Sequence, residues 1–105
     1  MPKPDEEALR VASLAAVEVR TWPEVTEKPM FGMRCFYRGE TAFAVLPDKR
    51  ALEDACSIAY KLGNVKAQRE GEKWRLCIVA GPEIGSRDGL NRALTVLGEA
   101  YESAR

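Results

Sequence analysis

Three cysteines, Cys35, Cys56 and Cys77, are the side chains of this sequence best suited to covalent or metal chemistry. Successive cysteines are separated by 20 residues, so the chain has no C-x-x-C pair, the pattern of a zinc ribbon or a thioredoxin-like redox site. The chain also has no histidine, which removes the Ser-His-Asp triad, the Cys-His dyad and His-ligated zinc. Because each cysteine lies in an apolar stretch, we expect three reduced, buried thiols in a cytoplasmic protein. The alternative is a Cys35–Cys77 disulfide between neighbouring strands.

Paired carboxylates are the second candidate chemistry, because two neighbouring acids with different pKa values can perform general acid–base catalysis. The members of each pair either diverge around a predicted helix or flank a turn. None of the pairs lies in an evidently apolar stretch that would raise a pKa. We therefore predict no catalytic residue, no metal ligand and no cofactor. The pairs are Glu6 with Glu7, Glu53 with Asp54, and Glu70 with Glu72.

Basic and aromatic residues alternate in the middle of the chain. The formal net charge of zero counts against a nucleic-acid coat protein, but residues 28–75 contain ten basic and six acidic residues. Cations beside an aromatic ring on one strand face suit phosphate contacts with base stacking. The alternative is a solvated sheet face whose arginines pair with nearby glutamates. The predicted nucleic-acid-binding residues are Arg34, Phe36 and Arg38 on one strand, extended by Lys73 and Arg75 on a later strand.

Met30, Phe31 and Met33 form a cluster of large apolar residues around Gly32. Methionine adapts its shape to varied partners, and a glycine between bulky residues can mark a close backbone approach. We interpret these three residues as a candidate surface for a protein partner. The alternative is that they are ordinary core residues. The identity of the partner and the oligomeric state stay open at this stage.

The helices and strands that position these residues follow from capping and apolar spacing. Asp5, Asp48 and Ser86 are suitable N-caps, and apolar residues recur at helical spacing after each of them. Strand patterns around Gly39 and Gly71 predict two hairpins. The order α-ββ-α-ββ-α favours a two-layer α+β domain with the helices on one face of an antiparallel sheet. The predicted helices cover residues 5–20, 48–63 and 86–101, and the predicted strands cover residues 30–38, 41–46, 65–70 and 73–79.

The length of the chain bounds its organisation. A sequence of 105 residues favours a single domain over residues 1–105. The longest apolar run is far shorter than the roughly 20 residues of a membrane-spanning helix, so we expect no membrane partner. The first residues lack the apolar run of a secretory signal. We therefore expect a soluble, cytoplasmic protein.

Residues 28–36, followed by Gly39 and residues 42–45, resemble the N-terminal domain of TfoX-type competence regulators. The element order of roughly residues 6–104 is even more similar to the small MmcQ/YjbR proteins, in which a tryptophan strand like residues 73–78 precedes a closing helix with a late tyrosine. This resemblance implies an α+β domain akin to the type III secretion chaperone fold, often called double-wing. It implies a binding or interaction module without catalysis. Weak DNA binding, a label that members commonly carry by analogy, is the alternative.

Overall fold

A computed structural model describes residues 2–62 and 74–104 of the chain. These residues form two helices and an open five-stranded antiparallel sheet, which together make an α+β fold. The strands are hydrogen-bonded in the order of the sequence. No helix in this part of the chain is long and apolar enough to cross a membrane. The elements are α1 (Glu6–Val19), β1 (Val25–Met30), β2 (Met33–Arg38), β3 (Thr41–Pro47), β4 (Ser57–Tyr60), β5 (Arg75–Ile78) and α2 (Ser86–Ser103).

The first helix forms where its cap and its small apolar residues predict it. The Asp5 carboxylate accepts hydrogen bonds from the backbone N–H groups of Glu7 and Ala8, which satisfies two donors that the helix itself leaves free. The predicted helix over residues 5–20 is therefore confirmed. Six residues of α1 are buried, and the four alanines among them allow a close approach to the sheet and to α2: Ala8, Val11, Ala12, Ala15, Ala16 and Val19.

The last helix is also confirmed, although its cap lies one residue earlier than predicted. Gly85, not Ser86, occupies the N-cap position. The buried residues of α2 include much of the predicted apolar stripe, with Leu97 completely buried. Gly89 is required by packing, because a Cβ at this position would lie 2.1 Å from the carbonyl oxygen of Val79. Only glycine lets the start of α2 rest this close to the chain that follows β5.

The two helices lie side by side, in the same direction, on one face of the sheet. At one end the Ser86 hydroxyl donates a hydrogen bond to the Glu7 carboxylate. At the other end the Tyr101 hydroxyl donates to the carbonyl oxygen of Pro23 at 2.8 Å. The main core lies between the helices and this sheet face, and it includes Phe36. The expectation that the helices cover one face is confirmed, and we call this face the first face.

The first hairpin begins earlier than predicted. The sequence does not predict β1, because a proline such as Pro29 argues against a strand interior. In the described sheet, however, β1 lies at the edge, where a missing backbone N–H is tolerated. The predicted strand over residues 30–38 therefore divides into the end of β1, a two-residue turn at Phe31 and Gly32, and β2.

The predicted middle helix over residues 48–63 is wrong. The Asp54 carboxylate accepts a hydrogen bond from the backbone N–H of Cys56 at 2.7 Å, and this local turn competes with a helix. The chain then continues as β4 between β3 and β5. Ile58 and Ala59 are each 1% exposed and pack on opposite faces of the sheet. A strand that is buried on both faces is a continuous apolar run, which spacing alone does not distinguish from a buried helix.

The remaining strands agree with the sequence where the structure describes them. The predicted hairpin at Gly39 is confirmed as β2 and β3, and this glycine has a left-handed φ of 60°. The predicted strand over residues 73–79 is confirmed as β5 for the residues described. The predicted strand over residues 65–70 and its turn lie outside the described residues.

The opposite face of the sheet, which we call the second face, carries a smaller core to which neither helix contributes. Its four central side chains are at most 2% exposed. Both faces of β2 and β3 therefore bury apolar residues. The buried residues are Met33, Cys35, Val45 and Ala59, and the partly buried residues packed against them are Met30, Tyr37, Ala42, Leu52 and Trp74.

Candidate functional site

The turn between β1 and β2 presents the most exposed large apolar side chain of the described residues. Phe31 is 76% exposed, and its backbone has a left-handed φ of 48°. Gly32 follows with a φ of 81°, so both central residues are left-handed, as in a type I′ turn. Such turns favour Asn, Asp or Gly, because a Cβ is crowded in this conformation. Phe31 is therefore held in a strained conformation with its ring in solvent.

The loop that follows β3 supports this turn and places two cations beside it. The carbonyl oxygen of Gly32 accepts hydrogen bonds from the backbone N–H groups of Lys49 at 2.7 Å and Arg50 at 3.0 Å. Arg50 also lies so close that a Cβ on Gly32 would be 3.0 Å from its Cγ. Both basic side chains are exposed. We call Phe31, Gly32, Lys49 and Arg50 the Phe31 tip.

The structure separates the three residues predicted to bind a protein partner. Phe31 is exposed as that prediction requires. Met33 is 1% exposed and belongs to the core of the second face, so its placement on a surface is wrong. Met30 is partly buried against the same core. Side chains alternate between the two faces of β2, and Met33 points into the core of the second face. Phe31 precedes this strand in the turn, so its side chain is not part of either face.

The predicted row of Arg34, Phe36 and Arg38 lies on the first face, under the helices. Phe36 is 0% exposed, so its ring cannot stack on a base, and this part of the prediction is wrong. Arg38 packs its guanidinium 4.2 Å from the ring centroid of Tyr101 and donates a hydrogen bond to the Tyr101 carbonyl oxygen at 3.0 Å. It also forms an ion pair with Glu24 at 3.7 Å. Arg38 therefore joins β2 to the end of α2.

The other predicted cations do not form one patch with this row. Arg34 forms an ion pair with Asp48, with Nε 3.7 Å from the carboxylate. Arg75 is exposed on β5, three strands away from β2, which is about 14 Å at the usual strand spacing. Lys73 lies outside the described residues.

Two lysine–aromatic pairs occur on the second face, and the sequence predicts neither of them. The ammonium nitrogen of Lys28 lies 5.5 Å from the ring centroid of Tyr37, and that of Lys61 lies 5.0 Å from the ring centroid of Trp74. Both distances are within the range of cation–π attraction. The pairs are not predictable from the sequence patterns, because these patterns do not indicate β1, which carries Lys28, or β4, which Lys61 follows.

All three cysteines are free thiols, and their environments make them poor nucleophiles. Burial raises the pKa of the thiols of Cys35, Cys56 and Cys77, and the carboxylates of Asp5 and Asp54 raise that of Cys56 further. A raised pKa keeps a thiol protonated at neutral pH. Cys35 lies on the second face of β2, whereas Cys77 packs on the first face from β5. The alternative of a Cys35–Cys77 disulfide is therefore wrong.

One member of each of the first two carboxylate pairs acts in the fold. Glu7 accepts the hydrogen bond from Ser86 that joins the two helices, and Asp54 closes the turn before β4. Glu70 and Glu72 lie outside the described residues. Within residues 2–62 and 74–104, no group of three or more His, Cys, Asp or Glu side chains is close enough to hold a metal ion.

A groove lies at the opposite end of the molecule from the Phe31 tip, between the end of α1 and the last turns of α2. It has a volume of about 790 Å³. The rings of Trp22 and Tyr101 form its wall, with centroids 5.0 Å apart. Glu99 is exposed at the same groove. We call it the aromatic groove, and its principal residues are Trp22, Pro23, Gly98, Glu99, Tyr101 and Glu102.

Comparison of the chain with protein-family models, with curated proteins and with solved structures finds no match. The function is therefore argued from the geometry of this chain. Two features stand out by their chemistry: a strained, exposed aromatic residue beside two cations, and an aromatic groove that contains acidic residues.

Proposed function

We propose that this chain is a small, non-catalytic interaction module of the MmcQ/YjbR type that acts in the cytoplasm and binds a protein partner through the Phe31 tip. The observation that carries the proposal is the combination of a φ of 48° with a side chain that is 76% exposed at Phe31. Residues held in sparsely populated backbone conformations are frequent at binding sites, where the strain serves the function.

The fold itself gains little from a phenylalanine at this position. A left-handed conformation costs a non-glycine residue about 1–2 kcal/mol, and the ring recovers little of this because most of it stays in water. Asparagine or glycine would form the same turn at lower cost. An aromatic side chain is, however, the type of residue that most often anchors a protein interface. The exposed ring is therefore explained by binding better than by folding.

The surroundings of Phe31 indicate the chemistry of the partner. Lys49 and Arg50 are exposed beside the turn, and Asp48 of the same loop is already paired with Arg34. A surface that is apolar at its centre and positive at its rim fits an apolar pocket with acidic groups around it. The partner that we propose is therefore a protein with such a pocket.

The non-catalytic part of the proposal is supported by the state of the reactive side chains. The thiol of Cys35 is buried, and its pKa is raised by that burial. The Asp54 carboxylate accepts a hydrogen bond from a backbone N–H group, and the Glu7 carboxylate accepts one from the Ser86 hydroxyl. Acid–base catalysis needs titratable groups that meet at one place with different pKa values.

The test compares wild type with Phe31→Asn, which keeps a residue suited to the turn, and with Val17→Asn as a matched control. Val17 is 63% exposed on the outer side of α1, so its replacement removes apolar surface elsewhere. Proteins that bind the immobilised wild-type chain are identified, purified and titrated by calorimetry. We expect Phe31→Asn to weaken binding roughly 25-fold or more, as for an interface hot spot, and Val17→Asn to leave it unchanged. A partner that binds all three proteins equally would refute the role of Phe31.

The family and double-wing part of the proposal is supported by the residues that resemble MmcQ/YjbR proteins and by the α+β architecture with both helices on one face. It predicts that residues 65–70 form a strand paired with β5. An experimental structure that includes residues 63–73 tests this prediction. A helix over residues 65–70 would contradict it.

Weak binding of single-stranded nucleic acid is a second candidate, favoured by the lysine–aromatic pairs of the second face. Lys28 beside Tyr37 and Lys61 beside Trp74 offer two cations and two rings, the groups that contact phosphates and stack on bases. Two phosphate contacts predict a slope of about −1.4 for log affinity against log salt. Fluorescence anisotropy of a labelled oligonucleotide measures this slope. The double variant Lys28→Glu, Lys61→Glu should abolish binding. Arg34→Glu, which changes a cation on the first face, is the control. Absence of binding by wild type at low salt would refute this candidate.

A further inference from the structure

We propose that the chain associates head to tail, with the Phe31 tip of one copy seated in the aromatic groove of the next copy. This inference rests on the proposed function, because it names a second copy of this chain as a partner of the same tip. Each molecule carries both halves of the contact. Both the tip and the groove are partly apolar, and they carry opposite charges.

The aromatic groove is open at Gly98, where none of the described residues occupies the space that a side chain would take. Gly98 lies within α2, and a Cβ at this position would meet no atom within 4 Å. Glycine is less favourable than alanine inside a helix. Gly89 in the same helix is explained by the nearby carbonyl oxygen of Val79, whereas none of the described contacts requires glycine at position 98. The missing side chain leaves room beside the rings for a group from another molecule.

Trp22 supplies the ring that an incoming aromatic side chain can meet, because Tyr101 is only 8% exposed and its ring already contacts Arg38 and Phe43. Trp22 and Tyr101 meet at an interplanar angle of 54°, with their centroids 5.0 Å apart. Aromatic rings favour such tilted or edge-to-face contacts at centroid distances of about 4.5–7 Å. The groove is open to solvent, and its volume of about 790 Å³ leaves room for a single Phe31 ring.

The charges of the two surfaces are opposite. Lys49 and Arg50 flank Phe31 on the tip, while the exposed Glu99 contributes a carboxylate to the groove. Opposite charges at the rim of an interface fix its orientation and speed its formation. Two tips, or two grooves, would bring like charges together, which disfavours such contacts. The contact therefore joins two different surfaces of the chain.

The two surfaces lie too far apart for one molecule to fill its own groove. The loop that holds Lys49 and Arg50 adjoins Leu9, in the first half of α1, whereas Trp22 and Pro23 follow the end of this helix. The 14 residues of α1 span about 21 Å. A tip can therefore reach only the groove of another copy, and repetition of this contact gives an open chain or a closed ring.

The experiment measures association by sedimentation velocity from about 20 µM to about 2 mM at low salt. The tip is removed by Phe31→Asn and the groove is filled by Gly98→Met; Val17→Asn is the matched control. We expect wild type and the control to associate as concentration rises, and each site variant to stay monomeric. An equimolar mixture of the two site variants should form dimers and nothing larger, because it contains one intact tip and one intact groove. Lys49→Glu mixed with Glu99→Lys tests the charge pairing in the same way.

Each outcome separates the further inference from the proposed function. A wild-type chain that stays monomeric at every concentration overturns self-association, while the calorimetric titration of another partner still decides the role of the Phe31 tip. If Gly98→Met associates like wild type, the aromatic groove is not the seat of the tip. If Phe31→Asn associates like wild type, the tip is not the contact. Circular dichroism confirms that each variant is folded, and the complementing mixture shows that both variants keep one intact surface.

Discussion

Replacement of Phe31 by asparagine should stabilise the free protein while it removes binding. The left-handed φ of 48° costs phenylalanine about 1–2 kcal/mol, and asparagine tolerates this conformation. Full burial of a phenylalanine side chain is worth about 1.5–3 kcal/mol, so a ring that is only about a quarter buried contributes about 0.4–0.7 kcal/mol. The difference predicts that Phe31→Asn gains about 0.5–1 kcal/mol. For a chain of this length, the midpoint of thermal unfolding should rise by about 2–6 °C.

Calorimetric or circular-dichroism melting of the variant tests this expectation, with urea unfolding as a second measure of the free energy. Val17→Asn is again the control, because Val17 is also exposed but lies in a regular helix. We expect the control to change stability by less than about 0.5 kcal/mol. A loss of more than about 1 kcal/mol in Phe31→Asn would show that the ring stabilises the fold and would contradict the assignment of the strained turn to binding.

Two glycines of α2 and one acidic side chain give further predictions. Gly89→Ala should lower the free energy of unfolding in urea by about 2–3 kcal/mol, because its Cβ would collide with the Val79 carbonyl. Gly98→Ala should raise this free energy by about 0.5–1 kcal/mol. Equal effects of the two substitutions would contradict the packing described for α2. The hydrogen bond from Arg20 lowers the pKa of Glu27. A carboxyl group with a depressed folded-state pKa adds stability above its unfolded pKa of about 4.3 and loses it as the pH falls through the folded value. Glu27→Gln should therefore flatten the pH dependence of the free energy of unfolding below about pH 4.5. The change should be at most about 1 kcal/mol, because the pair is partly exposed. An unchanged pH dependence would contradict the contribution of this pair.

The parts of the fold that the sequence predicts correctly are those set by local signals. Asp5 caps α1 by hydrogen bonds within its own turn, and Gly39 supplies a left-handed residue between two strands. The prediction of the middle helix is wrong because the conformation of this segment depends on contacts with residues that are distant in the chain. The residues from Ile58 to Tyr60 have apolar side chains that fit a helix, but pairing with β3 and β5 buries both of their faces. Tertiary pairing overrides the local pattern in this segment.

The candidate site shows the same division. Phe31 can be singled out from the sequence because it stands beside Gly32, and two residues form the whole turn. The burial of Phe36 cannot be predicted in this way, because its neighbours on the same face of β2, Arg34 and Arg38, are charged and indicate a face in solvent. The aromatic groove joins Trp22 to Gly98, which are far apart in the chain.

The size of the contact sets the behaviour expected for self-association. Burial of the Phe31 ring gives about 1.5–3 kcal/mol, and each exposed charge pair at the rim adds about 0.2–1 kcal/mol. A dissociation constant of 1 mM corresponds to about 4.1 kcal/mol, so the tip and the groove alone give at best an affinity near the millimolar range. Because every added copy leaves one tip and one groove unfilled, an open chain should lengthen gradually with concentration, without a preferred size. A closed ring would fill every groove and give one dominant species, since its last contact forms within the assembly at a high effective concentration. The distribution of sizes therefore reveals how successive copies are oriented.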